Sequence, residues 1–226
     1  MPLNIAIDGP AGAGKSTMAK RIAAKMGIVY LDTGAMYRGI ACYALSANAS
    51  PEKSEEVVPL LGGVKMDISY VDGVQKVIIN GEDVTPYIRE HKISMAASTI
   101  SKIPEVRLKL VELQREIASR TDCVLDGRDI GSYVLPNADV KIYLDARPEV
   151  RARRRLDELT AKGTAGELTY EEILADIVAR DYQDTHRDFA PLKVADGATV
   201  IDTSDMTIEE VAEEVAELCK KTGYRD

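Results

Sequence analysis

Short apolar runs rich in β-branched residues alternate with stretches of helical periodicity along this 226-residue chain. Residues 3–8 alternate in polarity and lead straight into a glycine-rich turn. From Ser16 to Met26 the spacing predicts a helix, with Met18, Ile22 and Met26 four residues apart on one face. Residues 28–31, 123–125, 140–144 and 199–201 have the length and apolar continuity of buried strands. Val106, Leu110, Leu113 and Ile117 mark one helical stripe behind Pro104, and Ile208, Val211, Val215 and Leu218 mark another. Five strands alternating with helices predict an α/β fold in three layers, a five-stranded parallel sheet covered on both faces.

The rhythm breaks between residues 64 and 84. Residues 65–70 and 75–79 flank Val71-Asp72-Gly73-Val74, and Asn80-Gly81 follows, so this stretch predicts a β-hairpin with Asp-Gly turn chemistry. Within an α/β chain such a hairpin is an insertion. The polar residues 46–56 predict a loop leading into a short helix, and residues 161–167 a mobile turn between two helices.

Composition narrows the class. Hydrophobic residues make up 45% and charged residues 29%, ordinary values for a globular chain. Lys and Arg number 29 against 37 Asp and Glu, a net charge of −8, which argues against binding a nucleic-acid polymer or an anionic membrane through overall charge. Cys42, Cys123 and Cys219 are far apart, and with His91 and His186 they form no metal-ligand spacing. Neither a membrane-length apolar run nor a secretory leader pattern is present, so the expected location is the cytoplasm.

The glycine-rich turn carries the chemistry. Gly9-Pro10-Ala11-Gly12-Ala13-Gly14-Lys15-Ser16, followed by Thr17, fits G-x-x-x-x-G-K-[ST] strictly and has a strand before it and a helix after it. Glycines let successive backbone N–H groups turn toward an anion, and the helix N-terminus adds its positive end. Lys15 is expected to reach the β- and γ-phosphates and the Ser16 hydroxyl to ligate Mg²⁺ brought with ATP. Asp126, at the end of an apolar strand, is the expected second magnesium partner, directly or through water. Nothing resembling the guanine-reading Asn-Lys-x-Asp occurs, which favours ATP over GTP.

Eleven of the fifteen arginines fall between Arg107 and Arg187. Five arginines and one acid occupy residues 147–155, where Pro148 suits the first turn of a helix. That helix would set Arg151, Arg154 and Arg155 on one face, and the next would align Arg180, Asp184 and Arg187. Fixed guanidinium groups near a P-loop suit phosphoryl transfer, which spreads negative charge over the equatorial oxygens. Arg151 and Arg154 are assigned that role, whereas Arg147 and Arg153 are read as surface.

Taken together, the P-loop, Asp32-Thr-Gly-Ala-Met-Tyr-Arg38, Asp126-Gly-Arg-Asp-Ile-Gly131 and Arg180-Asp181…Asp184…Arg187 resemble the bacterial cytidylate kinases over essentially the whole chain. The resemblance implies one P-loop kinase domain over residues 1–226, an acceptor-binding insertion at 38–100 and a helical lid at 151–170. It also implies a monomer whose partners are ATP, CMP and dCMP. Arg38, Arg128 and Arg187 would hold the acceptor phosphate, and Asp184 with Arg180 and Thr33 the ribose. Ser98, Arg107 and Asp129 would read the base, and Arg151 and Arg154 would belong to the lid. Lys15, Arg128, Arg151, Arg154 and Arg187 form the expected catalytic set. The chemistry of the base agrees: a carboxylate accepts from the exocyclic amine of cytosine and repels the O4 of uracil. Two alternatives stand beside this expectation, a P-loop kinase for UMP, AMP or shikimate and a nucleotide switch without acceptor-dependent turnover.

Overall fold

The computed structural model describes residues 1–161, 163, 166 and 168–220. The turn expected at 161–167, within the expected lid, therefore lies partly outside the described residues. The chain divides into two compact units, one formed by Met1–Val29 with Thr121–Asp226 and the other by Tyr30–Arg120.

A five-stranded parallel sheet takes in β1 (Asn4–Asp8), β2 (Val29–Asp32), β6 (Cys123–Asp126), β7 (Val140–Asp145) and β8 (Thr199–Asp202), in the order β2-β6-β1-β7-β8. The boundary between the units falls inside β2. β1 lies centrally, pairing Ile5 with Val124 on one side and with Val140 on the other. Ile5, Ala6, Ile7, Val124 and Leu125 are fully buried, which is why these runs read as continuously apolar. Helix α1 (Lys15–Met26) follows the glycine-rich turn and stops at Gly27, whose left-handed backbone (φ 67°) donates its N–H to Ala23 O.

Later in the same unit, α6 (Pro148–Ala161) and α7 (Tyr170–His186) pack through Ala152, Ile173 and Ile177 with Leu156, Leu159 and Leu174 around them. A reciprocal cap between Thr169 and Glu172 starts α7. That helix ends at His186, so Arg187 is its C-cap and not a further helical residue. Helix α8 (Ile208–Lys220) buries Val211, Val215 and Cys219. Ile208 is exposed and Leu218 only half-buried, so the inner stripe ends on Cys219.

The Tyr30–Arg120 unit begins with α2 (Thr33–Ser46) and continues through α3 (Ser54–Val57) and a 3₁₀ turn at Val58–Gly63. The insertion is three-stranded, β3 (Met66–Val71), β4 (Val74–Ile79) and β5 (Glu82–Asp83). Asp72-Gly73 closes the expected hairpin with φ of 50° and 73°. Asn80-Gly81, with φ of 52° and 88°, closes a second hairpin that pairs Ile79 with Glu82. Two helices complete the unit, α4 (His91–Ile100) and α5 (Pro104–Ala118).

The inner face of α5 differs from the expected stripe. It buries Val106, Arg107, Leu110, Val111, Gln114 and Ala118, while Leu113 and Ile117 sit half-exposed. Two polar residues on the inner face hid its true position. The Arg107 guanidinium lies 5.5 Å from the Tyr37 ring centroid, and its Nη1 donates to Ser101 O at 3.2 Å.

Candidate active site

Backbone geometry explains the first glycine of the P-loop. A Cβ on Gly9 (φ 142°) would lie 1.9 Å from the Leu144 carbonyl oxygen, so no other residue fits between β1 and β7. Gly12 (φ 80°) approaches the Arg151 Cβ, which a Cβ of its own would meet at 3.1 Å. Carbonyls of the loop are held from three sides. Lys15 Nζ donates to Pro10 O at 2.6 Å, Arg151 Nη1 to Ala11 O at 3.0 Å, and Thr203 Oγ1 to Ala13 O at 3.5 Å. Gly14 has a left-handed backbone, and Ser16 and Thr17 face outward at the start of α1.

Lys15 is buried among like charges. Burial, then the neighbouring Arg128, hold its ammonium well below the usual lysine range. A polyanion in the loop would reverse that balance. Ser16 Oγ donates to Asp126 Oδ2 at 2.8 Å, bringing together the hydroxyl and carboxylate that the sequence pairs as magnesium ligands. Hard oxygen donors of this kind suit Mg²⁺. Among the described residues no three His, Cys, Asp or Glu side chains gather into a metal cage.

Four of the expected acceptor residues form one cluster. Arg128 Nε donates to Asp184 Oδ2 at 2.7 Å. Arg187 Nη2 lies 3.5 Å from Asp129 Oδ1, and its Nη1 lies 3.8 Å from Asp184 Oδ1. Burial pushes the Asp184 carboxyl up, but Arg128, Arg180 and Arg187 together hold it below the usual carboxylate range. The Arg128 guanidinium is likewise pushed down by burial and raised on balance by Asp184. Arg187 also donates from Nε and Nη2 to Ala190 O, at 2.8 and 2.5 Å. Arg180 is exposed on α7, and its charge acts on both Lys15 and Asp184.

On α6, Arg151 is buried and Arg154 half-buried. Arg151 grips Asp181 with both terminal nitrogens, at 3.1 and 2.5 Å, and donates from Nε to Ala146 O. Arg154 donates to Thr203 Oγ1 at 3.0 Å and to Thr203 O at 2.5 Å. Arg155 pairs with Glu158 in solvent, Arg147 with Asp205, and Arg153 lies over Tyr170.

Within the Tyr30–Arg120 unit, Thr33 is buried in the first turn of α2. Asp32 caps that helix, Oδ1 accepting from Ala35 N at 2.8 Å while Oδ2 accepts from Arg38 Nη2 at 3.1 Å. Arg38 Nε is buried without a hydrogen-bond partner among the described residues, an N–H suited to an anion. Ser98 is half-buried on α4 and Arg107 fully buried on α5.

Sequence reasoning left several supporting residues without a role. Asp8 accepts from the backbone N–H groups of Ile130 and Gly131, at 2.8 and 2.7 Å. It thereby straps the segment carrying Arg128 and Asp129 to the strand that delivers the P-loop. Burial pushes the Asp8 carboxyl up to about 6. Its signal was an acid at the inner end of an apolar strand. Asp181 stood in the Arg180-Asp181…Asp184…Arg187 motif without a role of its own, and Thr203 and Gln75 carried no distinguishing local pattern.

A sequence model of the cytidylate kinase family matches residues 5–221. A cytidylate kinase of Caldicellulosiruptor bescii is 49% identical over 219 residues, covering 97% of this chain and 96% of its own. One from Caldanaerobacter subterraneus subsp. tengcongensis is 50% identical over 221 residues, covering 98% and 96%. A crystal structure of a protein from Eubacterium ventriosum superposes with a TM-score of 0.53 at 11% identity, covering 98% of this chain and 99% of that one, a likeness of fold alone.

Proposed function

The chain belongs to the cytidylate kinase family and transfers the γ-phosphate of ATP to CMP or dCMP; we propose the following division of labour among its residues. Gly9 to Thr17 cradle the triphosphate, with backbone N–H groups and the α1 N-terminus turned toward it. Lys15 sets its ammonium against the β- and γ-phosphates. Ser16 and Asp126 would hold Mg²⁺, which would supply charge neutralisation for the triphosphate.

Arg38, Arg128 and Arg187 grip the acceptor phosphate, and Thr33, Arg180 and Asp184 the ribose. Ser98, Arg107 and Asp129 read the cytosine. An oxygen of the acceptor phosphate attacks the γ-phosphorus in line. A new P–O bond forms as the bond to the β–γ bridging oxygen breaks, and ADP leaves. The residues contribute position and charge, not proton transfer. Arg151 and Arg154 add charge from α6, each first exchanging the partner it holds here, Asp181 or Thr203. Residues 38–100 act as the acceptor-side insertion and 151–170 as a lid that keeps water from the γ-phosphate. The protein works as a cytoplasmic monomer. Among the described residues no helix is long and apolar enough to cross a membrane.

The observation that carries the acceptor assignment is the Arg128–Asp184–Arg187–Asp129 cluster strapped by Asp8 to the P-loop strand. Coupled ADP release with CMP, dCMP, UMP, AMP and shikimate as acceptors tests it. CMP and dCMP should be preferred, and Asp129→Ala should cut discrimination against UMP by about 10–100-fold while sparing ATP affinity. Equal loss of ATP binding would remove Asp129 from base reading.

A further inference from the structure

Strand β2 ends the order of its sheet, with β6 on one side. Val29 N donates to Asp122 O, immediately ahead of β6, so Val29 points its backbone groups toward that neighbour. Strand alternation turns Tyr30 and Asp32 the other way, leaving their backbone groups on the outer edge. Two side chains of the insertion meet them there. The Tyr70 hydroxyl donates to Tyr30 O at 3.1 Å. Gln75 Oε1 accepts from Asp32 N at 2.7 Å, and Gln75 Nε2 donates to Asp32 O at 3.1 Å. Tyr70 and Gln75 are themselves a cross-strand pair of the β3–β4 hairpin. The Gln75 amide thus supplies one acceptor and one donor where a neighbouring strand would place its backbone.

The residue held this way is the cap of α2. Both Asp32 carboxylate oxygens are engaged, one with Ala35 N and the other with Arg38. Fixing the Asp32 backbone fixes that carboxylate, which in turn aims the Arg38 guanidinium. A second observation ties the same hairpin face to the same helix. A Cβ on Gly39, next to Arg38, would lie 2.7 Å from Val77 Cγ1, two residues along β4 from Gln75 and on its face.

We propose that Gln75 is a positioning residue for the acceptor phosphate, and that the hairpin insertion acts by clamping Asp32 so that Arg38 is pre-aimed before the nucleotide arrives. The proposal rests on the assignment of Arg38 to that phosphate. A loosened Arg38 must be ordered at each binding event, which weakens the acceptor complex and leaves the ATP cradle untouched.

The test is steady-state kinetics with CMP and ATP varied separately, alongside thermal unfolding. Gln75→Met preserves length and deletes both bonds. KM for CMP should rise about tenfold, with kcat and KM for ATP within about twofold of the parent. Gln75→Glu keeps the acceptor but turns a carboxylate oxygen toward Asp32 O; it should raise KM for CMP at least as much, and it carries the test if the Met variant does not fold. In an Arg38→Ala background, Gln75→Met should add less than about a further twofold, because both act through one guanidinium. If Arg38→Ala leaves KM for CMP unchanged, the phosphate assignment fails and this proposal with it. If Arg38→Ala raises that KM while both Gln75 variants leave it alone, the positioning role alone fails. Fully multiplicative effects, or an equal rise in KM for ATP, would also overturn it.

Discussion

Asp8 sits where β1 ends and the P-loop begins, and both its carboxylate oxygens are committed to the backbone N–H groups of Ile130 and Gly131. Its folded-state pKa of about 6 lies above the ordinary 3.8, so the folded protein holds this proton more tightly than the unfolded chain does. Asp8 therefore favours folding most below about pH 4 and loses that contribution as pH rises to about 6. Urea unfolding of the parent and Asp8→Asn at pH 4, 5, 6 and 7 should show the parent's relative stability shrinking by about 3 kcal/mol across that window. A pH-independent difference would reject the shifted titration. Individual side chains of the P-loop were legible from sequence because their spacing is local. The strap at Asp8 and the clamp at Gln75 were not, since their partners lie 122 and 43 positions away.

Helix α2 and the β3–β5 sheet meet through an absent side chain. Gly39 lets the helix approach Val77, which is fully buried, with Met66 and Ile79 close by. Gly39→Ala should cost about 1–3 kcal/mol through overpacking, reduced by up to about 1 kcal/mol of improved helix propensity. Chemical denaturation measures the balance, and a stabilised variant would mean that the hairpin yields. Helices α2 and α4 had no stripe that set them apart in the sequence. The five parallel strands and helices α1, α5 and α8 followed from apolar periodicity, because buried parallel strands and amphipathic helices show it. The third strand of the insertion did not, since two residues have no period; its mark was Asn80-Gly81, the second turn signal after Asp72-Gly73. The inner face of α5 escaped for another reason. Its buried members include Arg107 and Gln114, which a hydrophobic stripe assigns to solvent.

Net charge and site charge run in opposite directions. Residues 205–217 alone hold six acids and no base, whereas the arginines concentrate on the segments assigned to nucleotide binding. Raising KCl from 50 to 500 mM shortens the Debye length about threefold, and KM for CMP should rise by roughly three- to tenfold. An unchanged KM would mean that the arginines act only through contacts too buried to screen. The alternation of strand and helix, the P-loop and the family followed from the linear order of residues, because each depends on local spacing or on motifs read along the chain. Folding decided which charges oppose which: Arg128 with Asp184, Arg151 with Asp181, Lys15 among arginines, Asp32 between Gln75 and Arg38. Those pairings depend on burial and on distances between residues far apart in the chain, neither of which a periodic pattern encodes.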